Sequence, residues 1–432
     1  MKYFIRTFGC QMNVADSDFF GNCLRNYGFI PTENINDADI IIVNTCTVRQ
    51  HAEDRALSYI GKLKTLKNKN HNLIIIVAGC VAERLKFLLK KIFPYIDLLI
   101  SAKEVEKFEH MIKQYVNYNL DQQSNSYECN KQISAFVPIS RGCNNFCSYC
   151  IVPYVRGVEK SISPEKIIDE IQCYVKRGVK EIILLGQNVN SYHYLNSNSK
   201  IVDFSDLLKE INKIEGLERI RFITNHPKDM SDKIINTISE LEKVCEHIHL
   251  PLQSGSNRIL ELMNRKYTAE RYLELVNNIR KKIPNISITS DVMVGFPTET
   301  EQDFYDTIEM VIKSKFDFCY VFKYSAREKT KIFQLGDTVS EQEKDKRHKK
   351  LLELCNNLAI EKNKSFVGKK VEVLVEKIYN NNVYFGKTRD NHPVTIQYDP
   401  EIVLSEKESL IGELITVKIV DYKIHTLIGT LC

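Results

Sequence analysis

The sequence predicts an α/β protein of three successive units: an open parallel α/β sheet, a partial (β/α)6 barrel and a small antiparallel β-barrel. Three observations lead there. Over roughly the first 335 residues, short apolar runs alternate with amphipathic helical stretches, the pattern of parallel sheets covered by helices. A polar stretch, residues 117–134, interrupts that alternation and reads as a linker. Beyond a charged helical segment at 339–364 the pattern becomes short strands of alternating apolar and polar residues, with turn residues such as Asn380-Asn381-Asn382 between them.

In the first unit, strands are expected at 2–8, 40–44, 73–78 and 97–101, with helices between. Open parallel sheets bind ligands beyond the carboxyl ends of their strands. In the second, strands are expected at 136–140, 181–185, 219–225, 247–253, 286–294 and 318–325. Helix signals fall between them: Ser163 as N-cap with Pro164 in the first turn and Gly178 past the end, and Thr268 opening an amphipathic run to Lys282. Barrel chemistry sits on the loops after the strands. In the third unit, strands are expected at 371–375, 383–385 and 414–420. The implied divisions are 1–120, 132–364 and 365–432.

The 432 residues suffice for two or three packed cores, and the 43% hydrophobic fraction is that of an ordinary globular protein. No apolar run reaches the ~18 residues of a membrane helix, and the N-terminus lacks a signal-peptide core, so a soluble cytoplasmic protein is expected, with no membrane partner. A net charge of +5 does not by itself announce a nucleic-acid binder. From Ser365 onward, 8 Lys and Arg face 9 Asp and Glu, so charge does not make the last unit an RNA binder either. Two basic runs, Lys62 to Lys69 and Lys344 to Lys350, read as solvated helix faces.

Thirteen cysteines, an odd number unevenly spread, argue for metal chemistry in a reducing compartment rather than a disulfide framework. Cys143, Cys147 and Cys150 stand within eight residues on the loop after the first barrel strand. Four ligands close a structural metal site, whereas three leave a position open for substrate or cofactor. A second set of three follows strand ends in the first unit: Cys10, Cys46 and Cys80. Neighbouring parallel strands end close together, so these thiols can converge although they are far apart in sequence. Thiolates suit zinc as well as iron–sulfur clusters, which keeps a zinc-stabilised, non-catalytic RNA-binding protein as an alternative class. The remaining cysteines stand singly and read as packed or incidental thiols.

The run Cys143-Asn144-Asn145-Phe146-Cys147-Ser148-Tyr149-Cys150 resembles the signature of radical S-adenosylmethionine (SAM) enzymes. With both cysteine sets in place, the chain resembles the methylthiotransferase branch of that family along essentially its whole length. The matching stretches include Gly9-Cys10-Gln11-Met12-Asn13, Asn44-Thr45-Cys46, Gly79-Cys80, Val152-Pro153-Tyr154 with Arg156-Gly157, Leu185-Gly186-Gln187-Asn188, and His249-Leu250-Pro251-Leu252-Gln253-Ser254. Gln11-Met12-Asn13 and the segment Arg221 to Pro227 resemble the members that act on dimethylallyladenosine. Members acting on threonylcarbamoyl-adenosine or on a ribosomal protein differ there, and those targets are the nearest alternatives. Ser161-Ile162, Thr298 and Lys329 depart from the common pattern without touching a cysteine of either set.

The resemblance implies a four-iron, four-sulfur (4Fe-4S) cluster on Cys143, Cys147 and Cys150 that cleaves SAM to a 5′-deoxyadenosyl radical. It implies a second, sulfur-delivering cluster on Cys10, Cys46 and Cys80. It further implies a tRNA carrying N6-isopentenyladenosine as substrate, an electron donor such as flavodoxin or ferredoxin, a monomeric enzyme, and an RNA-binding TRAM barrel at the C-terminus. Tyr149, Gly186, Gln187, Asn188, Gln253 and Ser254, at barrel strand ends or on the cysteine loop, are the candidate SAM contacts. Arg265 is a candidate for a carboxylate or phosphate partner.

Overall fold

The computed structural model describes residues 1–116, 132–380, 383–397 and 410–432. Most of the expected linker lies outside the described residues, as do Cys129, Asn381 and Asn382.

The N-terminal sheet holds β1 (Lys2–Thr7), β2 (Ile30–Pro31), β3 (Ile40–Thr45), β4 (Ile74–Gly79) and β5 (Leu98–Ser101), all parallel, in the order β2-β1-β3-β4-β5. Central strands β3 and β4 are runs of Ile and Val because both of their faces are covered. Ile41, Val43, Ile75 and Val77 enter one core, while Ile40, Ile42, Ile76 and Ala78 enter the opposite one. The edge strand β2 was not expected, since two exposed residues carry no periodicity.

The six expected barrel strands are Ser134–Pro138, Glu181–Leu185, Arg219–Phe222, His247–His249, Ser287–Val294 and Phe318–Lys323. They form two parallel three-stranded sheets, joined along the barrel wall by the bridge Ile220 to Val244 and by the Asn225 N–H to the His249 carbonyl at 3.3 Å. Their inward faces and the flanking helices bury one large core. Several strands end earlier than expected, for local reasons. The third stops before Thr224 and the fourth well before Gln253, both of which hold positive φ. Pro251, lacking an N–H, cannot continue the fourth strand's ladder.

The charged helix runs from Glu341 to Lys364 and packs on the last barrel strand, with His348 Nε2 3.1 Å from the Val321 carbonyl. Its basic run is not wholly a solvated face. Lys344 is fully buried between Asp337 and Glu341, and Arg347 is buried against Glu299 at 2.7 Å. The stem of Lys344 lies over Gly295, where an added Cβ would stand 2.3 Å from Lys344 Cγ. Each charge is matched, which is what lets it leave water.

Lys370–Asn380, Val383–Thr388, Pro393–Gln397, Leu414–Lys423 and Thr426–Leu431 close the C-terminal barrel. It is antiparallel except for one parallel pair, Pro393–Gln397 with Thr426–Leu431. Buried arginines attach it to the amino ends of the central strands. Arg219 donates to the Lys387 carbonyl at 2.8 Å and pairs with Glu372 at 2.8 Å. Arg221 donates to the Thr388 and Arg389 carbonyls at 2.6 Å and pairs with buried Glu181 at 2.7 Å. Arg389 returns a two-pronged bond to Glu246, 2.9 Å on each prong. The opposite, carboxyl ends of the strands stay available for the cysteine loop.

Arg221→Met leaves the Glu181 carboxylate buried without its cation. It is expected to lower the unfolding free energy by about 3 kcal/mol, read as a lower urea midpoint; an unchanged midpoint contradicts the role assigned to this pair.

Candidate active site

Cys10, Cys46 and Cys80 follow β1, β3 and β4, three adjacent strands, so the parallel register brings their loops together. Cys10 caps helix α1 (Gln11–Asn26), and Cys80 opens the helix Cys80–Leu85. Glycines precede two of these cysteines because the backbone has no room for a side chain. At Gly9, with φ +121°, a Cβ would stand 2.4 Å from Cys46 Cβ; at Gly79, with φ +95°, it would stand 2.3 Å from the Thr45 carbonyl oxygen. Asn13 and Asn44 hold the loops: Asn13 Nδ2 donates to Asn44 Oδ1 at 3.0 Å and to the Thr45 carbonyl at 2.8 Å, and Asn44 Nδ2 returns a bond to the Asn13 carbonyl at 2.8 Å.

The three thiols sense one another. A hydrogen bond from Cys46 pulls the Cys10 thiol down, with help from Arg156. The same bond, with burial and the neighbouring Cys80, pushes Cys46 up. Burial raises Cys80, whose thiol lies against Arg156.

The second set sits on the loop beyond the first barrel strand. Backbone bonds shape it: Cys143 N–H to the Gly157 carbonyl at 3.1 Å, Cys150 N–H to the Cys147 carbonyl at 3.0 Å, and Ser148 N–H to the Met263 carbonyl at 3.0 Å. Burial pushes the Cys143 thiol up to about 11 and the Cys150 thiol up to about 12. Arg265 is buried here. It donates to Cys147 Sγ at 3.4 Å, to the Pro251 carbonyl at 3.1 Å and to the Tyr267 hydroxyl at 3.1 Å, so it faces the cysteine loop instead of the surface.

The two sets are neighbours. Cys80 packs with Ile151 and Val155, the residues just past Cys150. Met12 and Ala15 of α1 pack on Ile183 and Leu185 of the second barrel strand. Gln11, next to Cys10, lines the same cavity of about 630 Å³ as Phe136, Ile183 and Ile223 of the barrel interior.

The other candidates are placed unevenly. Gln187 accepts a bond from the Gly142 N–H at 2.6 Å and so braces the cysteine loop. Gly186 lies over Ser140, where a Cβ would come 2.6 Å from the hydroxyl. Asn188 donates to Asp229 at 2.6 Å, while its buried Oδ1 has no partner among the described residues. Tyr149 sets its ring edge-on to Phe296, with centroids 6.4 Å apart. Gln253 is bridged by backbone to Val292 and holds φ +69°. Ser254 is fully buried and engaged with Thr307 and the Ser256 N–H, as a turn into the next helix. Asn13 and Arg156 lay within quoted motifs, and Asp16 within none. None of the three carries a role in the sequence reading, because the contacts that join Arg156 to Asn13 and Asp16 span more than a hundred residues.

Each set offers three thiols outside any disulfide, with Cys46, Cys80 and Cys143 buried and Cys10, Cys147 and Cys150 partly exposed, a donor set suited to a cluster that takes one thiolate per iron and keeps one iron open. Among the described residues no group of three Cys, His, Asp or Glu side chains stands at the spacing of a single bound ion.

Residues 2–101 match uncharacterized protein family UPF0004, 137–311 the Radical SAM superfamily and 364–432 the TRAM domain. The chain is 45% identical to the tRNA-2-methylthio-N(6)-dimethylallyladenosine synthase of Caldicellulosiruptor saccharolyticus, over 99% of this chain and 92% of that one. It is 44% identical to the synthase of that name from Clostridium botulinum, covering 99% and 96%, and 43% identical to that of Endomicrobium trichonymphae, covering 99% of each. The fold is similar to the radical SAM methyltransferase TsrM from Kitasatospora setae, with a TM-score of 0.56 at 12% identity over 77% of each chain.

In metal-free protein Cys10, whose thiol is held below the ordinary thiol range and is the least buried of the three, is expected to be alkylated by iodoacetamide well ahead of Cys46 and Cys80. Peptide mass spectrometry reads this, and equal labelling of the three contradicts it.

Three domain matches in series and near-complete coverage at 43–45% identity leave one assignment: the chain belongs to the radical-SAM tRNA-2-methylthio-N(6)-dimethylallyladenosine synthase family.

Proposed function

We propose that this chain attaches a methylthio group to carbon 2 of N6-isopentenyladenosine beside the anticodon of tRNA, using two molecules of SAM and a cluster-derived sulfur. The observation that carries this reading is the full-length identity to proteins named for that product. The hydrogen on that carbon is not acidic and the carbon is closed to ordinary nucleophiles, so no side-chain base performs the exchange. When bound, a cluster with SAM supplies a radical able to take that hydrogen, and a second cluster supplies sulfur.

The residues divide the work accordingly. Cys143, Cys147 and Cys150 hold the first cluster, and Arg265 places a fixed cation beside Cys147. Cys10, Cys46 and Cys80 hold the second. Gly186, Gln187, Asn188, Tyr149 and Gln253 bound the SAM site, with the unpartnered Asn188 Oδ1 as the acceptor available to a ligand donor. Ser254 shapes the adjoining turn. Residues 1–120, 132–364 and 365–432 act as three domains of a cytoplasmic monomer that draws electrons from a flavodoxin or ferredoxin. Unpaired anticodon-loop bases suit recognition by stacking and edge contacts, in which the TRAM barrel takes part.

Nucleoside mass spectrometry of isopentenylated tRNA, after anaerobic incubation with reconstituted protein, SAM and a reductant, is expected to show a methylthio gain on isopentenyladenosine. Formation of 5′-deoxyadenosine without that gain contradicts the substrate. The reconstituted protein should carry about eight irons, and replacing Cys10, Cys46 and Cys80 by Ala should remove about half of them. Retention of all the iron contradicts the second ligand set.

A further inference from the structure

Arg156 ends the short helix Val152–Arg156, six residues past Cys150, and its side chain leaves the barrel for the N-terminal sheet. Only 6% exposed, it donates to Asn13 Oδ1 at 3.1 Å and pairs with Asp16 Oδ2 at 3.5 Å. Its guanidinium also stands against the Cys80 thiol, and its charge reaches Cys10. Asn13 Oδ1 in turn accepts the Cys10 thiol at 3.4 Å. Arg141, two residues before Cys143, pairs with the other oxygen of Asp16 at 2.6 Å. The cysteine loop of the barrel is thus bracketed by two arginines that converge on one carboxylate. Asp16 answers both arginines with one carboxylate, so buried Arg156 keeps positive charge directed at the sulfurs of Cys80 and Cys10. The planar five-donor fork of Arg156 meets Asn13, Asp16 and the Cys80 sulfur at once.

Resting on the reading that both cysteine sets bind clusters, we infer that Arg156 is a positioning residue that gives the Cys10–Cys46–Cys80 centre a fixed positive charge and holds it in register with the Cys143–Cys147–Cys150 loop. Hydrogen bonds and positive charge at the sulfurs of a cluster stabilise its reduced form and raise its reduction potential. Arg156 is then the residue through which the sulfur-bearing centre is tuned by the domain that generates the radical.

The test uses full-length protein with Cys143, Cys147 and Cys150 replaced by Ala, so that only the second centre remains, and a redox titration followed by electron paramagnetic resonance. Arg156→Gln is expected to keep about four irons and to titrate at a lower potential than the parent, whereas Arg156→Lys retains most of the parent value. Asp16→Asn keeps both arginines and removes the opposing carboxylate, so it is expected to move the potential the other way, upward. A purely structural lesion does not produce shifts of opposite sign. An unchanged potential in an iron-replete Arg156→Gln overturns the proposal. If that variant does not fold, a downward or absent shift in Asp16→Asn overturns it. A parent that binds no iron refutes the second ligand set itself, and the proposal falls with it.

Discussion

The structure depends on Asp16. Its carboxylate, 1% exposed, accepts Arg141 and Arg156 from a loop more than a hundred residues away, and among the described residues no other acid is paired with either arginine. Asp16 and Arg156 are buried and Arg141 is partly exposed, and taking such charges out of water carries a desolvation penalty that Coulomb attraction repays only when geometry and further hydrogen bonds satisfy every group. Here Arg156 finds Asn13 and the Cys80 thiol as well as Asp16. The arrangement therefore contributes specificity of docking more than raw stability. A shift of the loop by one residue would strand a buried arginine, so one relative placement of the two cysteine sets is selected.

The two ends of the central barrel carry different duties for the same physical reason. At the amino ends of its strands, Arg219, Arg221 and Glu246 fasten the C-terminal barrel through main-chain carbonyls and paired acids. At the carboxyl ends, strand termini and loops hold cysteines, glycines with positive φ and an unpartnered Asn188 oxygen, groups that a compact core has no use for. No helix among the described residues is long and apolar enough to cross a membrane. The distant structural likeness to TsrM concerns the fold alone, while the whole-length relatives carry the assignment.

Much of this was legible in the sequence. The doubly buried strands announced themselves as Ile and Val runs, the helix at Pro164–Lys176 through its Ser163 cap, and the six cysteines by their position after strands. What was missed depends on contacts between segments distant in sequence. Thr426–Leu431 did not read as a strand because Gly429 interrupts it, yet a Cβ there would lie 2.3 Å from Val417 Cγ1, so the glycine permits close packing. Pro393–Gln397 begins with a proline, which a strand tolerates at its first residue. Lys344 and Arg347 looked like solvated charges because their acidic partners are set by packing. Arg156 stood in a quoted motif, but nothing local reveals that its side chain reaches the other cysteine set.

The central claim is that both cysteine sets serve one radical substitution on the purine ring. The most direct test supplies tRNA whose isopentenyladenosine carries deuterium at carbon 2 and weighs the 5′-deoxyadenosine released during a single turnover. The account predicts that the deuterium appears in 5′-deoxyadenosine in step with the methylthio product. Methylthiolated product with no deuterium in 5′-deoxyadenosine would contradict it.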